Sequence, residues 1–319
     1  MRIELDWLNS PPLGPATLTI GVFDGVHLGH QYLIREVIAK AQNLGVASVV
    51  LTFEPHPLAV LTPAAVPATL TSFDQKAKIL TAMGLSVLGK LKFDAALSDY
   101  RALEFLDKAV ATRLMAKNVF VGQDFHFGRG AEGTLATIVE WGQRQNPKVF
   151  ANAISEVKGP KGETYSSSHV RGLIKEGLVA EAANILGRAY SIVGTVVAGQ
   201  ARGRSLGYPT ANLGPTPQLT PGPGVYAVFA HLDGRTLPGM TSVGHNPTFI
   251  SPTLTVETHV FDFNEDFYGA NLELEFIARL RGVIRFDSAA SLIRQLGEDA
   301  KMARAILAQR LNNLNLLDC

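Results

Sequence analysis

The sequence predicts an α/β protein in two parts, a parallel sheet with helices followed by a small antiparallel β-barrel and a closing C-terminal helix. Three observations carry that expectation. Short β-branched apolar runs alternate with helical stretches up to about residue 187, and strand-like runs separated by glycine, proline and asparagine turns fill residues 190–280. The length of 319 residues exceeds what one compact core commonly uses.

Thr17–Val22 is short, apolar and β-branched, and a glycine-containing turn separates it from the helical stretch Gln31–Asn43. Val46–Phe53 repeats the buried-strand pattern after Gly45, and Val119–Val121 gives another short strand before the glycine-rich turn Gly128–Gly133. From Val170 to Leu186 apolar residues keep a three-to-four spacing, which predicts a helix stopped by Gly187. Tyr190–Val197, Val225–Leu232, Leu254–Phe263 and Leu272–Leu280 are the predicted barrel strands, and Ser288 to about Leu311 is the closing amphipathic helix. The domain boundary is expected near residues 187–190, giving domains 1–187 and 188–319.

Composition narrows the class. With 46% hydrophobic and 18% charged residues the chain can fill two cores, which excludes wholesale disorder. A formal net charge of +1 leaves no electrostatic footprint for nucleic acid. The single cysteine, Cys319, excludes an intrachain disulfide and a cysteine zinc cluster. Glu4 and Asp6 fall where a signal peptide needs apolar residues, and no apolar run approaches a membrane span of about 18 residues. A cytoplasmic location without a membrane partner is therefore expected, and nothing in the sequence identifies a protein partner.

Gly21-Val-Phe-Asp-Gly-Val-His-Leu-Gly-His30 stands where a strand gives way to a helix, a place whose exposed amides attract phosphate. His27 and His30, three apart, fall on one side of the first helical turn and can donate hydrogen bonds to phosphate oxygens. Gly21, Gly25 and Gly29 leave room for a nucleotide near the backbone. An isolated histidine pair of this kind is as readily a metal pair or two surface residues.

The second half has its own candidate. Gly199-Gln-Ala-Arg-Gly-Arg-Ser-Leu-Gly-Tyr-Pro-Thr-Ala-Asn212 reads as a phosphate-holding loop, or as a plain glycine-rich turn. The Thr210 hydroxyl and the Asn212 amide oxygen are hard donors of the kind Mg²⁺ takes beside nucleotide phosphates. Val256–Phe263 alternates as a strand, so Glu257, His259, Phe261 and Phe263 are expected on one face. If that face looks into the barrel, desolvation suits Glu257 to take a proton from a substrate hydroxyl; otherwise it is a strand-end carboxylate in water.

The N-terminal string resembles the HxGH signature of nucleotidyltransferases, and its surroundings resemble bacterial bifunctional riboflavin kinase/FAD synthetases. Leu51-Thr-Phe-Glu-Pro-His-Pro57, Gly122-Gln-Asp-Phe-His-Phe-Gly128 and Ser166-Ser-Ser-His-Val-Arg171 resemble further segments of that family. Pro209–Asn212, Gly224–Ala227, Gly244–Phe249, the Glu257 strand and Asp266–Gly269 occur in the order of riboflavin kinase domains. The similarity spans nearly the whole chain and implies a nucleotidyltransferase domain followed by a kinase barrel. Riboflavin would be phosphorylated to FMN in the second half and FMN adenylylated to FAD in the first, with ATP and Mg²⁺.

The resemblance also implies roles. His27, His30 and Arg171 would act on the phosphates in adenylyl transfer and Glu257 would be the kinase base. ATP would contact Gly21, Phe23, Asp24, Gly25, Gly29, Ser167 and Ser168 in the first half, and Gly199, Gly203, Gly207, Thr210 and Asn212 in the second. Flavin would meet Phe53, Pro55, His56, Asp124 and Phe127, and Arg281 in the kinase half; Thr210 and Asn212 would hold Mg²⁺. Two positions depart from the pattern, Ala201 for glycine and Val283 for glutamate. The rivals are another HxGH adenylyl or cytidylyl transferase, a tRNA-charging enzyme of the HIGH type, against which the lack of a KMSKS-like segment and of a basic patch argues, and a flavin-binding sensor or carrier that has lost catalysis, against which the retained Glu257 argues.

Overall fold

In the computed structural model, residues 1–160, 162–198, 207–245, 254–263, 265 and 267–315 are described. Gly199, Ala201, Gly203, residues 246–249 and Asp266 lie outside them. Tertiary contacts divide the chain into two compact units, Met1–Ser166 and Ser167–Cys319.

The first unit is a parallel six-stranded sheet among the described residues. Its strands are β1 (Arg2–Glu4), β2 (Gly14–Ile20), β3 (Ala47–Glu54), β4 (Val87–Lys92), β5 (Leu114–Gly122) and β6 (Phe150–Ile154), in the order β1-β4-β3-β2-β5-β6. Helices α1 (Leu28–Leu44), α2 (Pro57–Leu61), α3 (Phe73–Ala82), α4 (Ala95–Ser98), α5 (Ala102–Leu106) and α6 (Leu135–Arg144) fill the connections. Every residue of β2 from Ala16 to Ile20 is buried, because both faces of the sheet are covered. Leu33, Ile34, Val37 and Ile38 of α1 pack on one face with Val50 and Leu88. Trp7, Leu18, Leu51, Phe105 and Trp141 pack together in a second cluster.

The strand order reverses at β2: β3 and β4 build outward on one side, and the chain then crosses to β5 and β6 on the other. In open parallel sheets ligands bind at such a switch point, beyond the carboxyl ends of the strands. The three N-terminal motifs, distant in sequence, follow the carboxyl ends of β2, β3 and β5, which are adjacent in the sheet.

The second unit begins with α7 (Ser167–Glu176) and α8 (Val179–Leu186). The three-to-four spacing predicted a continuous helix here, but the chain turns at Gly177 and Leu178, where the two amides return to the carbonyls of Ile174 and Leu173. The apolar spacing runs through the break because each helix buries its own face: Val170 and Ile174 in α7, Val179, Ala182, Ile185 and Leu186 in α8. Helix α8 packs on the barrel strands β7 (Tyr190–Val197) and β12 (Asn271–Arg281).

With β8 (Ala211–Leu213), β9 (Gly224–Leu232), β10 (Arg235–His245) and β11 (Leu254–Val260), these strands form a closed antiparallel barrel in the order β10-β11-β8-β7-β12-β9. Ile192, Leu274 and Ala230 meet in register, as do Tyr190, Phe276 and Val228, and all six are buried. On the opposite face of β9, Ala227 and Phe229 pack with Met240 and Phe261 against Ala303 and Leu307 of α9 (Ala289–Asn315). Strand β9 is therefore buried along its length apart from His231.

Candidate active site

Between β2 and α1 the chain makes a tight turn that places Phe23 and Val26 at positive φ, 50° and 40°. For a β-branched residue this is a sparsely populated conformation, kept only where surroundings enforce it, and such turns gather at functional sites. Asp24 is one enforcer: its buried carboxylate accepts from the amides of Leu70, at 2.9 Å, and Thr71, at 3.1 Å. Lys76 of α3 is another, donating from Nζ to the Val22 carbonyl at 2.7 Å and to Thr52 Oγ1 at 3.0 Å.

The turn delivers two stacked imidazoles. His27 caps α1, its Nδ1 accepting from the His30 amide at 3.4 Å, and the rings lie 3.6 Å apart between centroids. The edge of Phe23 meets His30 at 5.1 Å. His30 Nδ1 is buried without a hydrogen-bond partner among the described residues. Burial holds the His30 pKa well below the usual imidazole value, helped by neighbouring His27 and by the charge on Lys76. Neutral His30, stacked on His27 beside an α-helix N-terminus, can donate to phosphate oxygens, and an arriving anion favours its charged form.

Gly21 and Gly29 make room for rings of the chain itself. A Cβ on Gly21 would come within 3.0 Å of the Phe23 ring, and one on Gly29 within 3.1 Å of the His27 ring. The space they leave is taken by the chain's own rings, which fixes the imidazole stack. Gly25 takes φ 80° within the turn.

The other N-terminal candidates divide by exposure. Phe53 packs edge-on to Phe93 at 5.7 Å and Phe127 is buried between Phe105 and Phe125, forming an aromatic cluster beside the ends of β3 and β5. Pro55 follows a cis peptide bond, and His56 caps α2 by accepting from the Leu58 amide at 3.2 Å. Asp124 is exposed on the turn after β5. Ser167, Ser168 and Arg171 lie in the first turns of α7, which belongs to the second unit.

In the barrel, Asn212 of β8 and Glu257 of β11 are direct antiparallel partners, with Ser242 of β10 opposite Glu257 on its other side. Directly paired side chains share a face, with Cβ atoms about 4.5–5.5 Å apart. The burial pattern of β11 chooses between the two orientations that the sequence left open for Glu257. Val256, Thr258 and Val260 are the buried, inward residues, so Glu257 and His259 point to the outer surface of the barrel. Phe261 and Phe263 lie beyond the end of β11, and Phe261 is buried beneath α9 instead of flanking Glu257.

His259 Nδ1 donates to the Pro209 carbonyl at 2.8 Å, tying the segment that carries Thr210 to the Glu257 strand. Thr210 lines a cavity of about 350 Å³ with Thr258, Val260, Phe263 and Phe267. Gly207 has φ 82° just before this segment. Arg281 is committed to Asp299 of α9, with Nε at 3.0 Å and Nη2 at 2.7 Å, and its Nη1 donates to the Gly282 carbonyl. It joins β12 to the closing helix. Val283 is 60% exposed.

Comparison with known proteins agrees with both halves. The family described as FAD synthetase matches residues 10–169, and the family described as riboflavin kinase matches residues 186–307. A bifunctional riboflavin kinase/FMN adenylyltransferase from Listeria monocytogenes is 32% identical over 92% of this chain and 92% of the relative. The Escherichia coli K12 protein of the same description is 32% identical over 93% and 94%. The chain belongs to this bifunctional family. A solved structure described as a macrolide-efflux protein from Streptococcus pneumoniae also superposes, with TM-score 0.83 and 29% identity, covering 95% of this chain and 99% of that one. Among the described residues here, no helix is long and apolar enough to cross a membrane.

Within the family fold, sequence reasoning brought out the histidine pair and, separately, Asn212 and Glu257, but not their pairing across β8 and β11, and it overlooked Lys76. A lysine on a helix ordinarily reads as solvated. Gln75, Lys76 and Ala77 are all buried, a consequence of tertiary packing that the sequence pattern does not signal.

Proposed function

We propose that the chain makes flavin cofactors, phosphorylating riboflavin to FMN in the barrel and adenylylating FMN to FAD in the parallel-sheet domain, with residues 1–187 and 188–319 as the functional halves. The tandem of two family matches, each falling mainly on a unit with its own paired polar groups, carries the reading.

In the barrel, the riboflavin 5′-hydroxyl attacks the γ-phosphorus of ATP and ADP leaves. Glu257 takes the hydroxyl proton as general base, and Asn212, its strand partner, orients the nucleotide with Thr210. The donor set fits Mg²⁺, since the Thr210 hydroxyl and the Asn212 amide oxygen are hard donors, and Mg²⁺ commonly keeps few protein ligands beside substrate phosphates. When bound it would neutralise phosphate charge. In the sheet domain an FMN phosphate oxygen attacks the α-phosphorus of ATP and pyrophosphate departs opposite. No protein nucleophile is needed: His27 and His30 donate to the phosphate oxygens and stabilise charge as it develops. The aromatic cluster around Phe53 and Phe127 is proposed as the wall against which the flavin rests.

Incubation of the purified chain with riboflavin, ATP and Mg²⁺, followed by chromatographic separation of the flavins, tests the reading. FMN should appear first and FAD after it, with ADP and pyrophosphate. Unchanged riboflavin and unchanged added FMN would overturn it.

A further inference from the structure

Lys76 is 4% exposed and sits directly behind the turn that carries the histidine pair. Its Nζ reaches the Val22 carbonyl at 2.7 Å and Thr52 Oγ1 at 3.0 Å, and Thr52 Oγ1 in turn donates to the same carbonyl at 2.9 Å. This triangle joins α3 and β3 to the last residue before the positive-φ turn Phe23–Val26. A neutral side chain can make such hydrogen bonds without the cost of burying an ammonium, so the retained charge calls for another reason.

We infer that Lys76 is a positioning residue of the adenylyl-transfer site, holding the Val22 carbonyl beneath the turn and supplying a buried positive charge on which the nucleotide polyphosphate draws. The inference rests on the reading of this unit as the FMN-adenylylating half. The charged and titratable groups acting on Lys76 are Asp24 from the turn and Glu54 from the end of β3, and it acts in turn on His30 of α1. Burial lowers its pKa from 10.5 to about 8, against the opposing pull of Asp24 and Glu54. In the nucleotide-free protein this proton is therefore lost near pH 8. A bound polyphosphate restores it, since an added anion favours the charged form.

The test measures FMN adenylylation by the full chain between pH 6.5 and 9.5, with riboflavin phosphorylation by the same preparation as the internal control. In the wild type the KM for ATP should rise about tenfold across that range, as one buried charge near the phosphates is lost. Lys76→Met should start at the higher KM and stay flat, with phosphorylation unchanged. Lys76→Arg, which does not deprotonate, should keep a low KM to pH 9.5. A merely structural lysine predicts parallel profiles, so equal pH dependence in wild type and Lys76→Met overturns the inference.

Calorimetry on the wild type needs no folded variant. ATP binding at pH 8.5, in two buffers of different ionisation enthalpy, should show proton uptake, and zero uptake overturns the inference. A wild type that phosphorylates riboflavin yet never adenylylates FMN overturns the parent reading of this unit; an active wild type with a flat profile overturns only the role of Lys76.

Discussion

Glu257 shows how one register assignment changes a chemical expectation. Its strand neighbours Val256 and Thr258 are buried in the barrel, which puts its carboxylate on the outer face opposite Asn212. Its use as a base then depends on geometry more than on burial. Glu257→Gln keeps size and hydrogen bonding and removes the proton acceptor, so riboflavin phosphorylation should fall by about 10²–10⁴-fold while added FMN is still converted to FAD. Near-normal FMN production by the variant would remove Glu257 from the mechanism. Lys76 allows a second test at this scale, on stability. Its pKa is about 8 folded against 10.5 as the reference for the unfolded chain, so below pH 8 both states carry the proton and the burial penalty is felt in full, about 3 kcal/mol. Between pH 8 and 10.5 the unfolded chain holds more protons than the folded one, and stability rises with pH. Urea unfolding of the N-terminal unit at pH 7 and pH 10 should therefore show the wild type gaining on Lys76→Met at the higher pH; no relative gain would mean that the ammonium is not desolvated.

Helices α7 and α8 decide where the barrel's own folding unit begins. Val179, Ala182, Ile185 and Leu186 are buried where α8 packs on β7 and β12, and the Gly222 amide donates to the Ile174 carbonyl of α7 at 2.9 Å. A fragment 167–319 should fold cooperatively and phosphorylate riboflavin. A fragment 187–319 strips both helices and exposes the apolar surface they covered; at about 1.5–3 kcal/mol for each large side chain unburied it should be markedly less stable. Comparable unfolding midpoints for the two fragments would show that α7 and α8 are dispensable to the barrel. The sequence made these elements only partly legible. The strands β2, β3, β7, β9 and β12 announced themselves as apolar runs, whereas β10 carries Pro238, Gly239 and Gly244 and so hides its pattern. Strand β8 is three residues long, too short for any periodicity. Period-two alternation paired Glu257 with His259, but only closure of the barrel decides which alternate set points inward. The same holds at the N-terminal site, where the histidine spacing was readable and the buried lysine behind it depended on α3 packing against a turn distant in sequence.

Across the whole molecule, each half holds its own paired polar groups, the stacked His27–His30 pair at the start of α1 and the Asn212–Glu257 pair on β8 and β11, to which we assign the two transfers. The product of one half is the substrate of the other. If each set is complete for its own reaction, FMN can leave one protein molecule and be used by a second. His30→Ala should still make FMN, since the barrel is untouched, and Glu257→Gln should still adenylylate FMN. Each variant alone, given riboflavin, ATP and Mg²⁺, should form little FAD. Mixed at equal concentration they should form it after a lag while FMN accumulates, and the lag should shorten as protein concentration rises, because transfer through solution is bimolecular. Each variant is assayed first for its surviving half-reaction, so an inactive mixture cannot be blamed on a misfolded partner. Intact half-reactions with no FAD from the mixture would mean that FMN is handed over within one chain, and that the two activities are coupled by more than a shared intermediate.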